Sequence, residues 1–115
     1  MKSADYYLLD VFTEQPFTGN PLAVFLASDE LDTSTMQALA NELNLAETVF
    51  VGAATQPNHY PMRIFTPTRE LPFAGHPTVG TAHLLAALEL ANPTQPLVLH
   101  PPIGELAITS TSGRT

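Results

Sequence analysis

The run Phe73-Ala74-Gly75-His76-Pro77-Thr78-Val79-Gly80 holds the residue types best suited to chemistry in this chain. Proline costs a helix nothing in its first turn, where N–H groups have no intrahelical partner. The remaining first-turn N–H groups point back into the preceding loop, with the positive end of the helix dipole behind them. Such an end binds a carboxylate or a phosphate. Gly75 allows close approach to the backbone, and His76 stands at the mouth of that end, able to donate a hydrogen bond or shuttle a proton. The same residues also make an ordinary turn and helix cap, and the pattern alone leaves both readings open.

Glu47 is the second candidate, in Asn44-Leu45-Ala46-Glu47-Thr48-Val49-Phe50. A carboxylate between an amphipathic helix and a β-branched strand is drawn partly out of water, and desolvation moves a carboxyl toward the range useful for general acid–base work. An exposed charge at a strand edge is the alternative. His83 falls within an apolar helix and reads as a core histidine, whereas His59 and His100 fall in Pro-flanked loops and read as solvated. No pair of histidines stands at a metal-ligand spacing with a carboxylate near by, so no metal site is expected. Arg63, Arg69 and Glu70 surround Thr66-Pro67-Thr68 as either a surface salt-bridge group or a substrate rim. There is no Gly-x-Ser-x-Gly elbow and no Gly-rich nucleotide fingerprint. The absence of cysteine removes disulfides, thiolate metal sites and a Cys nucleophile.

The elements that must position these residues are punctuated by eleven prolines. Residues 6–12 and 22–26 read as strands around a turn at 17–21. Ser34 and Gln37 form a capping box for a helix whose Met36, Leu39, Ala40 and Leu43 share one face, with Asn44 as its stop. Residues 47–51 and 60–65 read as strands, and 66–76 as a loop. A second helix is expected over 77–91, ended by Asn92-Pro93 and apolar on nearly every face, which requires burial all round. Residues 97–99 and 104–109 close the chain as strands. The architecture expected is α+β, an antiparallel β-sheet curled around a central buried helix. Hot-dog thioesterases share that outline, so fold alone does not fix function.

At 115 residues the chain fits one domain, 1–115. The start Met1-Lys2-Ser3-Ala4-Asp5 lacks the pattern of a signal peptide, and no apolar run is long enough for a membrane span, so a cytoplasmic location is expected. A net charge of −7 makes nucleic acid and anionic membranes poor partners. Charged residues are only 13% of the chain against 44% hydrophobic, which suggests that part of the surface is meant to be covered.

Taken in order, Asp10-Val11-Phe12-Thr13, Phe17 to Val24, Met36-Gln37 with Ala40-Asn41-Glu42, Asn44 to Phe50, Arg63 to Pro67 and Glu70 to Ala82 resemble the PhzF-like phenazine-biosynthesis family. The resemblance runs from about Tyr7 to Ile108. It implies a diaminopimelate epimerase-like fold of two similar domains, with the active site in the cleft between them and no metal or organic cofactor. By motif, Glu47 takes the place of the family's general acid/base and His76 that of its assisting histidine. Gly75 and the helix start at Thr78 would hold a substrate carboxylate, and Asn20 would line the pocket. Family members are roughly twice this length, so the implied partner is a missing C-terminal half or a second copy, and the chain alone is expected to be inactive or nearly so. The chemistry implied is an isomerisation or epimerisation of a small carboxylated metabolite. A non-catalytic carboxylate-binding or assembly domain is the rival reading.

Overall fold

The structure, a computed structural model, describes residues 6–11, 20–91 and 94–108. Strands β1 (Tyr6–Val11) and β2 (Asn20–Phe25) pair antiparallel, and helix α1 (Thr33–Leu43) then leads to β3 (Glu47–Val51), which lies parallel to β2. Strand β4 (His59–Phe65) returns antiparallel to β3, and the two-residue β5 (Glu70–Leu71) folds back on its far end. Helix α2 (Gly75–Ala87) carries the chain to β6 (Leu97–His100), parallel to β4, and β7 (Leu106–Ile108) closes a hairpin on β6. The sheet order is β1-β2-β3-β4-β6-β7, with β5 also on β4.

The sheet is therefore mixed, and the antiparallel sheet expected from the sequence is corrected at two junctions. Each parallel pair is joined through a helix, because parallel neighbours need a long crossover. Right-handed crossovers also decide where the helices go. Since β4 runs opposite to β2 and β3 while the sheet grows in the same direction, the second crossover must place its helix on the opposite face from the first. The burial agrees. Met36 and Ala40 of α1 pack on Ala23, Phe25, Phe50 and Phe65, whereas Ala82, Leu84 and Leu85 of α2 pack on Leu22, Val24, Val49, Val51, Met62, Ile64, Leu97 and Leu99.

Aromatic rings fix the register on the α1 face. Tyr6 stands opposite Phe25 and Phe25 opposite Phe50, with ring centroids 4.8 and 4.9 Å apart, and Phe65 meets Phe50 edge-on at 5.5 Å. A slip of one residue would turn this ladder off the core, so the register is strongly specified.

Local details depart from the expected caps. Helix α1 is capped by Asp32, which accepts from the Thr35 N–H at 2.8 Å, and the Ser34 hydroxyl donates to the same carboxylate at 3.2 Å. Gln37 makes no capping box. Its amide donates to the Thr66 carbonyl at 3.0 Å, and Asn41, one turn on, donates to the Pro67 carbonyl at 3.2 Å, so the pair ties α1 to the β4–β5 turn. Asn44 ends α1 as expected, in the left-handed region at φ 55°, with its N–H on the Ala40 carbonyl.

Helix α2 starts two residues earlier than expected, with Pro77 third in the helix, and ends at Ala87 rather than Ala91. Leu88 caps it, and Glu89 adopts φ 61°, which breaks the helical path. Nor is α2 enclosed. Val79, His83, Ala86 and Ala87 form an exposed stripe at helical spacing, with Val79 44% exposed. The all-round apolar helix therefore has one face that these residues leave open. Among the described residues, no helix is long and apolar enough to cross a membrane.

Candidate active site

Glu47 is the first residue of β3 and is half-buried. It pairs with Leu22 on β2, and Leu22 belongs to the core under α2, so Glu47 shares the α2 face. Because β2 and β3 are parallel, Asn20, at the start of β2, stands at the same end of the sheet. Strand β4 ends there too, since Thr48 pairs with Phe65, and β5 lies beside it through Ile64 with Leu71. Only three residues separate Leu71 from the first residue of α2, a reach of at most about 14 Å, and both Leu71 and Ala74 pack on the α2-side core. The topology thus brings Asn20, Glu47 and the start of α2 to one end of the sheet, although 27 positions separate Asn20 from Glu47 and 28 separate Glu47 from Gly75.

The start of α2 is open. Its N-cap, Ala74, offers no side-chain hydrogen bond to the first-turn N–H groups. The Gly75 and His76 N–H groups have no acceptor within the helix by position, and Pro77 has no N–H. A Cβ built at Gly75 would meet nothing within 4 Å, so no packing or left-handed backbone calls for glycine there. Thr78 is 4% exposed and its donors are engaged: its hydroxyl donates to the Ala74 carbonyl at 2.8 Å and its N–H to the same oxygen at 3.3 Å. Any anion at this end would therefore meet backbone N–H groups rather than the Thr78 hydroxyl proton. His76 is the second residue of α2, and the side chains of His76 and Asn20 lie outside what the structure describes.

Arg63 and Glu70 resolve into an ion pair. The guanidinium donates twice to the carboxylate, at 2.9 and 2.7 Å, and lies 5.5 Å above the Phe65 ring. The hydrogen bond to Glu70 raises the Arg63 pKa above its ordinary value. The Thr66–Arg69 turn is closed by its own backbone and by the Thr66 hydroxyl, which accepts from the Arg69 N–H at 3.1 Å. A pocket of about 220 Å³ lies elsewhere, lined by Asp29, Met36, Phe50, Gly52, Pro61 and Arg63 among others; Arg63 alone of the candidate residues singled out in the sequence lines it, and Asn20, Glu47, Gly75, His76 and Thr78 do not.

One group of side chains was missed in the sequence. His59 and His100 are not in loops: they lie on adjacent parallel strands, β4 and β6, and their rings approach to 3.0 Å between nitrogens. Glu105 comes to 4.0 Å from His100. The expectation that no carboxylate stands near a histidine pair is corrected. The signal was long-range strand pairing across 41 positions, which residue spacing does not carry.

The family model described as phenazine biosynthesis-like protein matches residues 9–115. An uncharacterized isomerase of Mesorhizobium japonicum is 56% identical over 89 residues, which cover 76% of this chain and 30% of that protein. The trans-2,3-dihydro-3-hydroxyanthranilate isomerase of Pseudomonas aeruginosa is 49% identical over 82 residues, covering 71% of this chain and 30% of the enzyme. Among solved structures, the Bacillus anthracis phenazine biosynthesis protein of the PhzF family superposes with a TM-score of 0.82 at 34% identity, over 95% of this chain and 36% of that one. The Enterococcus faecalis PhzF-family protein gives 0.82 at 37% identity, over 96% of this chain and 42% of that one. The chain thus spans between three and just over four tenths of these relatives. With a family match from residue 9 to residue 115 and a fold shared with these solved structures, the chain belongs to the phenazine biosynthesis-like (PhzC-PhzF) family.

Proposed function

We propose that this chain is one wall of the active site of a cofactor-independent isomerase acting on a small carboxylated metabolite. The observation that carries the reading is the convergence of Glu47 and the uncapped start of α2 at one end of the sheet. Named isomerases among the relatives support the reaction class.

In this reading the Gly75 and His76 N–H groups bind the substrate carboxylate, where the helix dipole favours negative charge and no side-chain cap competes. The open space over Gly75 lets the carboxylate reach them. Glu47, held on the same sheet end, takes a proton from one substrate carbon. As the resulting acid it returns a proton to another, so the isomerisation is proton-neutral overall. His76 assists that transfer and Asn20 lines the pocket. The second wall comes from a C-terminal half or a second copy, which would also cover the α2 face exposed along Val79, Ala86 and Ala87 and complete the enclosure of that helix.

The test uses the chain together with a C-terminal half supplied from a relative. Incubation with trans-2,3-dihydro-3-hydroxyanthranilate in D₂O, followed by NMR, reads deuterium entering the product. Glu47→Gln should lower that rate by at least about a hundredfold, the smallest effect usual for a lost general acid/base. Full activity of the variant would remove Glu47 from the mechanism. The chain without its second wall should show little or no turnover, since orientation gains vanish when half the cleft is missing.

A further inference from the structure

We infer that His59, His100 and Glu105 form a binding site for a zinc-class divalent transition-metal ion, at the end of the sheet remote from Glu47. His59 opens β4, and Phe65, six residues along, pairs beside Glu47 through Thr48. At the rise of a strand, that separates the two sites by about 20 Å.

The site is built by three independent pieces of backbone. In the β4–β6 register, His59 lies opposite Val98 and Pro61 opposite His100, so both histidines are on one face, one diagonal step apart. In the β6–β7 hairpin, Leu99 pairs with Leu106, and the next position inward sets His100 opposite Glu105. The hairpin turn is closed by the Gly104 N–H on the Pro101 carbonyl at 3.0 Å, and Gly104 adopts φ 141°, a conformation only glycine holds without strain. That turn delivers Glu105 to the histidine pair.

The donor atoms are already close to coordination geometry. His59 Nδ1 and His100 Nε2 are 3.0 Å apart, and the rings are tilted by 34°. Two nitrogens on a tetrahedral zinc ion would stand about 3.3 Å apart, given Zn–N bonds of about 2.0–2.1 Å. At this distance one nitrogen must offer a lone pair to the proton of the other. A metal ion in place of that proton would take both lone pairs at once. The Glu105 carboxylate, 4.0 Å from His100 and with its side chain 63% exposed, is free to close the remaining gap.

All three donor atoms lie within 4.8 Å of one another. Two imidazoles and one carboxylate make the set that holds zinc with one position left for water. A nitrogen-rich set selects against magnesium and calcium, which take oxygen ligands. The net charge of −7 favours a cation. The ion would clamp the β6–β7 hairpin to the main sheet, where the β4–β6 ladder spans only three residues on each strand.

The experiment is calorimetric titration of Zn²⁺ into the 115-residue chain, free of any histidine tag, with Mg²⁺ titrated in parallel. We expect one ion bound per chain, no saturable heat from Mg²⁺, and Co²⁺ substitution giving the visible absorption of a tetrahedral site. His100→Asn and Glu105→Gln should each weaken Zn²⁺ binding at least about tenfold, the loss that even an outer-shell partner can bring, whereas His83→Gln should not. Circular dichroism checks that each variant is folded. The cobalt spectrum of the unaltered chain reads the site without any substitution. Absence of saturable Zn²⁺ uptake by the unaltered chain, or equal loss in His83→Gln, would overturn the site and leave the three side chains as a surface hydrogen-bonding cluster.

Discussion

Asp32 shows how far a single residue can be read and where reading stops. The sequence places a helix start within two residues of it but favours Ser34, because Ser34 and Gln37 match the capping-box spacing. Gln37 is instead used on the Thr66 carbonyl, and the cap falls to Asp32. Hydrogen bonds from Thr35, then from Ser34, hold the Asp32 carboxyl below the usual carboxylate range. A folded-state pKa below the unfolded one means that the ionised form stabilises the fold above the unfolded value, about 3.9 for Asp. That contribution disappears as pH falls through the folded value. Asparagine caps about as well but does not titrate. The unaltered chain should therefore melt above Asp32→Asn at neutral pH, with the two curves converging as pH drops below about 4. Thermal melts across that range test it, and a constant gap at every pH would refute the charge argument. Glu47 and Gly75 were marked as candidates by their local context. His59 and His100 were not, since nothing local to either shows that β6 lies beside β4.

Elements were legible where periodicity or a special residue marks them. Asn44 was recognised as the stop of α1 because asparagine tolerates the left-handed conformation it adopts at φ 55°. The end of α2 was misplaced because Leu88, Glu89 and Leu90 keep an apolar, helix-forming composition past the true end. What ends the helix is a left-handed turn on a non-glycine residue: Glu89 adopts φ 61°, its N–H donates to the Ala86 carbonyl and the Leu90 N–H to the Leu85 carbonyl. The Tyr60 hydroxyl on β4 donates to the Leu90 carbonyl just beyond. A glutamate in that region carries a steric cost that glycine avoids, offset in part by glycine's greater loss of backbone freedom. Glu89→Gly should raise stability by about 0.5–1 kcal/mol. Urea denaturation would show this as a higher midpoint with an unchanged slope. A lower midpoint would mean that the Glu89 side chain contributes more than its backbone costs. The mixed sheet was also within reach of the sequence. Strand, helix, strand occurs twice, over 20–51 and 59–100, and that order signals parallel pairs joined by crossovers.

For the whole molecule, the low charge fraction and the open face of α2 describe the same feature. Val79, His83, Ala86 and Ala87 run along the helix opposite its contact with the sheet, and the only ionisable group among them is a histidine. The matched relatives are two to three times longer, so this chain need not bury that face itself. Left uncovered, an apolar stripe draws copies of the chain together, because its burial removes apolar surface from water. Light scattering over a concentration series should show the mean mass rising above the single-chain 12.4 kDa. Val79→Lys with Ala86→Lys should return it to that mass at every concentration, because both charges would have to be stripped of water in any such contact. If the unaltered chain stays at the single-chain mass throughout, the stripe is not adhesive, and the covering of α2 offers no driving force for assembling the second wall. If the doubly substituted chain still associates, the contact lies elsewhere, with the exposed Tyr6, Tyr7 and Leu8 of β1 as the next surface to alter.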